Sequence, residues 1–259
     1  MKKFILILTV LAIAGVNNAM AWSKLGHEVI IEIAKRHISE KTKQNIAKYI
    51  PYDITEDAVY MDIHRKDEVI GYTTSWHVYN LDKNHEYDMN PRLYKGDAIL
   101  AMKVADYNLT RQEKLTDSTV VMNIRCLIHF TGDMHCPTHS YVPGPRCFWP
   151  CELNGVEYKE FHKVYDIMPA LLHPNMTNVE IAALLDNASK KEIKRIQKGN
   201  LHEWVHDIGS KNYIIYEWNP HNTPVLHPNT VELSRELIDI QLRNAGYRLA
   251  FLLNKYFDK

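Results

Sequence analysis

The stretch "MNIRCLIHFTGDMH" (residues 122–135) indicates how the chain folds, because its apolar residues recur at the spacing of one helix face. Pro137 follows two residues later and predicts that the helix ends there. His129 and Asp133 stand four residues apart, so they lie on one face, one turn from each other. An imidazole and a carboxylate paired in this way are typical of a metal site or a proton relay. His139, just beyond the proline, can fold back toward the same place.

Helical spacing recurs on both sides of this stretch, at residues 26–38, 179–216 and 230–257. The second segment is long enough for one or two helices, and the third predicts a long amphipathic helix. Alternating strand patterns are scarce, and proline and glycine cluster at 141–155, which predicts a long loop with room for a short hairpin. We find no repeat, low-complexity tract or linker. The sequence therefore predicts one all-α domain, residues 22–259.

Composition limits the classes of function. The 259 residues are 46% hydrophobic and 24% charged, which is ordinary for a globular protein. The formal net charge is zero, so there is no overall basic field of the kind that a sequence-reading DNA-binding protein uses. An enzyme that grips phosphates locally is not excluded. Fourteen histidines is a high count, and neutral histidine is the commonest metal ligand.

The N-terminus, "MKKFILILTVLAIAGVNNAMAW", has the three parts of a secretory signal peptide. Two lysines precede an apolar run at residues 4–15, and a small-residue cleavage site follows at 19–21. The apolar run is too short to span a membrane, and no cysteine follows it to carry a lipid. We expect residues 1–21 to be removed during export to the periplasm or the medium, which leaves a chain that starts at Trp22 and has no membrane anchor.

The chain has four cysteines, Cys126, Cys136, Cys147 and Cys151. Export permits disulfide pairing, because the compartment outside the cytoplasm is oxidising. Cys147 and Cys151 flank "FWP" in the predicted loop, and a disulfide between them would close a small ring. Burial alone accounts for Cys126 in its helical pattern. The connectivity stays open.

A second His-x3-Asp pair, His162 and Asp166, repeats the spacing of the first. Three further candidates stand alone in the sequence: His27, Asp62 and His77. Imidazole and carboxylate ligands together suit zinc. Any one such pair is more often an ordinary surface or capping pair than a metal site, so the pairs count only as a set.

A competing pattern is His202-Glu203-x-x-His206, the metalloprotease motif with two metal ligands and a general base. Gly209 falls where the extended form of that motif has glycine. The third ligand would then be Asn212, which is a poor zinc ligand, and no downstream Met-turn can be identified.

The whole set resembles the single-strand-specific, zinc-dependent nucleases of the S-one/P-one type, and more distantly the bacterial zinc phospholipases C. The resemblance extends from Trp22 to the C-terminus, and "NAGYRLAFLLN" looks like the last helix of that family. It rests on the order and the spacing of the residues rather than on any single one. The matching residues are Trp22 and His27 in "WSKLGH", Asp62 with Arg65 three residues on, His77, the central His129-x3-Asp133-x5-His139, and His162-x3-Asp166.

The resemblance implies an all-α fold whose cleft holds three zinc ions, each with its own ligands. The central aspartate would bridge two of them, which agrees with its place one turn from His129, since a carboxylate has two oxygens to share. The implied ligand sets are Asp62, His77, His129 and Asp133 for the first zinc, Asp133, His27 and the amine and carbonyl of Trp22 for the second, and His139, His162 and Asp166 for the third.

The resemblance also implies the reaction, which is release of 5′-phosphorylated nucleotides from single-stranded DNA and RNA, and removal of 3′-phosphate from nucleotides. The zinc ions would activate a water that attacks phosphorus, and Asp62 would orient that water. Arg65 would hold Asp62 or touch phosphate, with a plain surface salt bridge as the alternative. An unpaired base could stack on an aromatic platform beside the metals, for which Trp76, Tyr79 and Trp149 are candidates.

The chain departs from the family pattern at Glu160, Phe161 and Tyr165, and in the loop at 141–155, positions expected to shape the pocket beside the metals. The aspartate at the last ligand position favours the nucleases over the phospholipases C, which tend to have glutamate there. Three alternatives remain: a lipid phosphodiesterase like phospholipase C on the same cluster, a metalloprotease using the His-Glu-His motif, and a metal-binding protein without catalysis. The sequence indicates no protein partner.

Overall fold

The computed structural model describes residues 22–89, 96–141 and 147–259. The predicted signal peptide lies outside the described residues, as does part of the predicted loop at 141–155. The structure is 63% helix and 6% strand, so the all-α prediction is confirmed. Among the described residues, no helix is both long enough and apolar enough to cross a membrane.

The described residues form twelve α-helices, several short 3-10 turns and four very short strands. The helices are α1 (Lys24–Lys35), α2 (Glu40–Ala47), α3 (Tyr60–Ile63), α4 (Ala98–Leu109), α5 (Asp117–His135), α6 (Phe161–Asp166), α7 (Met168–Leu172), α8 (Asn178–Leu185), α9 (Lys190–Gln197), α10 (Leu201–Asn212), α11 (Ile214–Trp218) and α12 (Thr230–Phe257). The strands are β1 (Tyr79–Asn80), β2 (Ser140–Tyr141), β3 (Cys151–Leu153) and β4 (Val156–Tyr158).

Helix α12 is the centre of the fold and packs against α1, α5, α7, α2 and α9. Its 28 residues coincide with the helix predicted at 230–257. The helix is amphipathic only over part of its length, because residues 244–250 are all buried and the helix is enclosed there on every side. The chain therefore wraps its shorter helices around one long helix rather than forming an open bundle.

Close packing of α1 on α12 depends on Gly246. A Cβ atom at this position would lie 2.5 Å from Cβ of Ile33 and 3.1 Å from the carbonyl oxygen of Ile30. No real pair of atoms tolerates the first distance, so the missing side chain is what lets the two helices approach. The contact fixes the position of α1, which carries His27 near its start.

Two other predicted helices are confirmed with shifted bounds. The pattern at 26–38 becomes α1, and the pattern at 122–135 becomes the larger part of α5. Helix α5 starts earlier than predicted because Thr116 caps it, its side chain accepting a hydrogen bond from the backbone N–H of Thr119. The helix ends at His135, just before the proline, as predicted.

The prediction of one or two helices at 179–216 was wrong, because the segment forms four: α8, α9, α10 and α11. Two polar residues inside the segment start new helices. Ser189 caps α9 by accepting from the N–H of Glu192, and Asn200 caps α10 by accepting from two backbone N–H groups. Helical periodicity continues across these caps, which is why the pattern alone does not reveal the breaks.

The short strands place two of the candidate histidines side by side. Strands β1 and β2 pair in parallel, with Tyr79 opposite Ser140, so the residues shortly before them, His77 and His139, are also neighbours. The Nδ1 atom of His139 donates a hydrogen bond to the carbonyl oxygen of His77 at 2.6 Å. Strands β3 and β4 form the antiparallel hairpin for which the sequence left room, and this hairpin leads into α6.

We predict that Gly246→Ala destabilises the protein by about 1–3 kcal/mol, because the new methyl group must push α1 and α12 apart. Urea unfolding followed by far-UV circular dichroism measures this change. Gly71→Ala is the matched control, since the nearest atom to a Cβ there is the carbonyl oxygen of Arg65 at 3.4 Å, an ordinary contact. Equal stability of the two variants would show that the helix approach does not depend on Gly246.

Candidate metal centre

Eight of the candidate side chains meet in one buried cluster. The last two turns of α5 stand at its middle, and the other members come from α1, α3, α6 and the segments before β1 and β2. None of the eight is more than 7% exposed. The members are His27, Asp62, His77, His129, Asp133, His139, His162 and Asp166.

The first group of ligand atoms lies between α5, α3 and the segment before β1. Nδ1 of His77 lies 2.9 Å from Oδ2 of Asp133 and 3.1 Å from Nε2 of His129, and these last two atoms are 3.3 Å apart. The Asp62 carboxylate completes the group, with one oxygen 3.6 Å from His77 and the other 3.7 Å from His129. Ligands at zinc bond lengths in a tetrahedron are about 3.3 Å apart, so the four side chains match the spacing of a zinc site.

The two carboxylate oxygens of Asp133 face different neighbours. Oδ2 faces His77 and His129, whereas Oδ1 lies 3.4 Å from Nε2 of His27 and 3.8 Å from Nδ1 of His139. The carboxylate therefore stands between two sets of nitrogen atoms. This position fits a carboxylate that would bridge two cations.

His27 can occupy its place only because residue 132 is glycine. A Cβ atom on Gly132 would lie 2.6 Å from Nδ1 of His27 and 2.9 Å from its Cε1. With that space open, the His27 ring stacks on the ring of His129, with 4.3 Å between centroids and 14° between planes. The residue before Asp133 is thus a packing requirement of the site, which sequence spacing did not indicate.

The ligand atoms of the third predicted zinc site, here called the third group, lie between α6 and the turn before β2. Nε2 of His139 is 3.1 Å from Nε2 of His162, and Oδ1 of Asp166 is 3.3 Å from the second nitrogen and 3.8 Å from the first. The Cys136 thiol is fully buried and also lies within 4.8 Å of ligand atoms of His139 and Asp166, a neighbour that sequence analysis missed. The two His–Asp pairs with four-residue spacing therefore serve different groups of one cluster.

Backbone carbonyl groups fix the orientation of two cluster histidines. Nδ1 of His129 donates to the carbonyl oxygen of Ala58 at 3.0 Å, and Nδ1 of His139 donates to that of His77 at 2.6 Å. A carbonyl oxygen can only accept, so both Nδ1 atoms carry hydrogen, and Nε2 is the nitrogen that faces the cluster and could bind a metal in its unprotonated form. Such outer hydrogen bonds are typical of histidines that bind metal.

Several buried polar atoms of the cluster have no hydrogen-bond partner in the protein. An unpaired buried polar atom is costly, and such atoms are rare in native structures. Their gathering in one place therefore fits a site in which they would bind a cation. The unpaired atoms include Nε2 of His27, both carboxylate oxygens of Asp62, Oδ1 of Asp133 and Oδ1 of Asp166.

Electrostatics favour a cation around Asp133. Burial alone would raise the pKa of this carboxyl group, but His129 and the other surrounding imidazoles hold it well below its ordinary value. For His129 burial opposes charge, yet the carboxylates of Asp133 and Asp62 outweigh it and raise the pKa to about 9. For His27 burial and the neighbouring His129 both lower the pKa. A buried carboxylate that stays ionised needs positive charge close to it.

The third group is electrostatically different. Burial raises the pKa of Asp166 to about 6, although contacts with His139 and Lys163 act in the opposite direction. Burial lowers the pKa of His162 well below its ordinary value, and the neighbouring His139 and Lys163 lower it further. A neutral imidazole is the form that binds a metal, so His162 is held ready for this role.

The roles of two further predicted site residues, Trp22 and Arg65, stay predictions. The Trp22 ring is fully buried and its Nε1 donates to the carbonyl oxygen of Gly132 at 3.0 Å, while the N–H of Ser23 donates to the carbonyl oxygen of Asp166 at 2.7 Å. These bonds hold the start of the described chain against α5 and α6. Arg65 is half-buried in the turn after α3, three residues from the cluster.

The metalloprotease interpretation of the His-Glu-His motif was wrong. The side chains of His202, Glu203 and His206 are exposed on the outer face of α10. The Glu203 carboxylate accepts a hydrogen bond from the N–H of Asn200 at 2.8 Å and completes the N-terminal cap of the helix, and His206 pairs with Glu86 at 3.1 Å. The helix cap and the surface ion pair therefore account for these three residues, and no metal is needed to explain them.

Of the three aromatic residues considered as stacking platforms, two belong to the core. Tyr79 is fully buried, with its hydroxyl donating to the carbonyl oxygen of Met134, and Trp149 is stacked on buried Phe161 at 4.4 Å. Trp76 is half-buried and packs edge-on against Phe130. Of the residues at which the sequence departs from the family pattern, Phe161 and Tyr165 are fully buried and shape the core rather than a pocket.

Among the described residues, an exposed aromatic ring beside the cluster belongs to Phe148, whereas the sequence analysis considered its neighbour Trp149. Its side chain is 52% exposed, and its ring lies nearly parallel to that of His162, with 5.8 Å between centroids and 17° between planes. Phe148 therefore places an exposed aromatic ring next to the buried third group. The signal available in the sequence was only its place in the loop beside Cys147.

The four cysteines are buried free thiols in the structure, so the ring between Cys147 and Cys151 is not formed in it. Cys147 and Cys151 each have separate surroundings. Sγ of Cys147 lies 3.4 Å from Nδ1 of His162, and Cys151 starts β3. Burial raises the pKa of Cys147 and of Cys126 to about 12.

Comparison with known proteins agrees with this geometry. The family model described as S1/P1 nuclease matches residues 22–258, which is most of the chain and includes every member of the cluster. None of the curated proteins compared with the chain matches it. The chain belongs to the S1/P1 nuclease family.

Proposed function

We propose that this chain is an exported, zinc-dependent endonuclease that cleaves single-stranded DNA and RNA to 5′-phosphorylated products, with 3′-nucleotidase activity on the same site. The observation that carries the proposal is the cluster of eight buried ligand side chains in a chain of the S1/P1 nuclease family. Family membership supports phosphodiester hydrolysis, and the spacing of the ligand atoms supports metal chemistry.

Three groups of residues would hold three zinc ions. When bound, zinc supplies positive charge to the phosphate and lowers the pKa of coordinated water toward neutrality. The protein's part is to hold the ligands at fixed spacing and to exclude bulk water from the buried side. The proposed ligand sets are Asp62, His77, His129 and Asp133, then Asp133, His27 and the amine and carbonyl of Trp22, and then His139, His162 and Asp166.

Asp62 has a second role in the proposal. Both of its carboxylate oxygens lack a hydrogen-bond partner, so one oxygen can accept a proton from the attacking water while the other faces His129. Its burial restrains the motion of the carboxylate, which would help to orient the water. Arg65, in the following turn, would contact the phosphate or hold Asp62 in place.

Preference for single strands follows from Phe148. A base in a duplex is stacked on both faces and cannot reach a protein ring, whereas an unpaired base can. The exposed ring of Phe148 lies beside His162 and can take a base whose phosphate reaches the third group of ligands. The platform is therefore Phe148, in place of the buried Trp149.

Export follows from the predicted signal peptide and accords with the family, whose members are generally secreted. The proposal adds that cleavage before Trp22 completes the metal site, since only a free amine can serve as a ligand. The hydrogen bonds of Trp22 and Ser23 to α5 and α6 would hold that amine near His27 and Asp133.

The runner-up is a lipid phosphodiesterase like phospholipase C on the same cluster. One assay separates the two: the purified chain with zinc is given single-stranded DNA, duplex DNA and phosphatidylcholine vesicles. We expect the fastest hydrolysis with the single strand and little with the vesicles. The opposite order would move the function to the lipid hydrolases. Zinc binding without any hydrolysis would indicate a metal-binding protein.

We predict that Asp133→Asn lowers the phosphodiesterase rate about a hundredfold or more, because the amide offers only one oxygen to two groups of ligands. Turnover of a fluorogenic single-stranded oligonucleotide measures the rate, and metal analysis should find less zinc per chain. Glu203→Gln is the matched control, with activity near that of the wild type. If Glu203→Gln lost activity and Asp133→Asn kept it, the active site would be at the His202-Glu203-x-x-His206 motif and not at the cluster.

We predict that Phe148→Ala lowers kcat/KM for single-stranded DNA about tenfold, because stacking of one base contributes about 1–3 kcal/mol. Zinc content should not change, since the ring holds no metal. Tyr107→Ala is the control: Tyr107 is a 61% exposed aromatic on α4 that packs against Arg111. An unchanged ratio of single-strand to duplex cleavage in Phe148→Ala would contradict the assigned platform.

We predict that residues placed before Trp22 weaken the second zinc site, because an amide nitrogen is no longer a free amine ligand. The test uses a chain whose short N-terminal extension can be removed by a protease so that Trp22 becomes the first residue. Before cleavage we expect about one zinc fewer per chain and a lower nuclease rate, and both should recover afterwards. Equal zinc and equal rate before and after cleavage would leave the Trp22 ring with a packing role only.

A further inference from the structure

The outer side of His162 rests on a buried thiol. Nδ1 of His162 lies 3.4 Å from Sγ of Cys147, which is fully buried. The same sulfur lies 3.3 Å from the carbonyl oxygen of Thr138, to which its S–H donates. The three groups form a chain that runs from an imidazole through a thiol to the backbone.

This chain takes the place that a carbonyl oxygen occupies behind two other cluster histidines. His129 and His139 each donate directly from Nδ1 to a backbone oxygen. His162 has the same orientation, with Nε2 toward the cluster, but its Nδ1 meets sulfur first. Cys147 therefore connects Nδ1 of His162 to the carbonyl oxygen of Thr138, which His162 does not contact directly.

The thiol has a single hydrogen and two neighbours that could accept it, the carbonyl oxygen of Thr138 and Nδ1 of His162. When the hydrogen goes to Thr138, the sulfur faces His162 with its lone pairs, and the hydrogen of that contact comes from Nδ1. In this arrangement neutral His162 carries its hydrogen on Nδ1 and presents an unprotonated Nε2 to His139 and Asp166.

The alternative tautomer would oppose metal binding. With hydrogen on Nε2, His162 could donate directly to Nε2 of His139, only 3.1 Å away. That hydrogen bond would occupy both nitrogen atoms and close the third group. Holding the hydrogen on Nδ1 prevents this pairing and leaves two lone pairs directed at one point.

We propose that Cys147 is a positioning residue for the third metal site, one that sets the tautomer and the ring orientation of His162 through the relay to Thr138. The inference rests on the proposed function for the identity of the metal, whereas the tautomer belongs to the protein alone. Outer partners of this kind typically change metal affinity 10–100-fold when they are removed.

The first experiment compares Cys147→Ala with Cys147→Ser. A serine hydroxyl has the same donor and acceptor capacity as the thiol, so it can rebuild the relay, and alanine cannot. Zinc per chain is measured after equilibration against a series of chelator concentrations. We expect one of three zinc ions to bind about 10–100-fold more weakly in the alanine variant, and affinity near that of the wild type in the serine variant.

Cys151→Ala is the matched control, since it removes another buried thiol four residues along and leaves the relay intact. Its zinc affinities should equal those of the wild type. Similar melting temperatures for the three variants in the presence of zinc would separate positioning from loss of fold. If Cys147→Ala binds all three zinc ions as tightly as the wild type, the positioning role is wrong.

The second experiment needs no variant. Long-range ¹⁵N NMR spectra of the zinc-free protein report which ring nitrogen of His162 carries hydrogen, with the signal assigned by comparison with His162→Gln. We expect hydrogen on Nδ1. Hydrogen on Nε2 in the wild type would overturn the proposal even if Cys147→Ala failed to fold. A wild-type protein that binds no zinc would instead reject the proposed function, and the spectrum would still decide the tautomer.

Discussion

The buried carboxylate of Asp133 is the constraint on which the site depends. It is fully buried and kept ionised, and isolated charge in such a place would cost several kcal/mol. The protein meets this cost by bringing imidazoles to it from α1, from the segment before β1 and from its own helix. Each of those elements must then lie where its histidine can reach, so the packing of distant segments is tied to one side chain.

That requirement explains features of the fold that look unrelated. Gly246 lets α1 approach the central helix, and Gly132 opens the space into which α1 then places His27. The two-residue parallel strands would add little stability by themselves, yet they align the segments that carry His77 and His139. Close approach of helices and pairing of short strands thus serve the same purpose, which is to place nitrogen atoms around one carboxylate.

The sequence predicted much of this and failed at identifiable points. The long helix at 230–257 and the His129–Asp133 pair follow from helical spacing, which is local, and both are confirmed as geometry. Spacing along the chain says nothing about exposure, and so it could not distinguish buried Trp149 from exposed Phe148 beside it. Nor could it locate the helix breaks within 179–216, because the capping side chains act on the backbone and leave the periodicity unchanged.

Burial is also what separates the two motifs that compete in the sequence. The His-Glu-His pattern on α10 and the His–Asp pairs on α5 and α6 both place ligands one helical turn apart. On α10 these side chains are exposed and engaged in a cap and a surface ion pair, so water and local partners satisfy them. In the cluster the side chains are buried and several polar atoms have no partner in the protein, so a bound cation is the partner that we propose for them. The same spacing of ligand residues therefore indicates a metal site only where the fold buries the side chains away from water and from other hydrogen-bond partners.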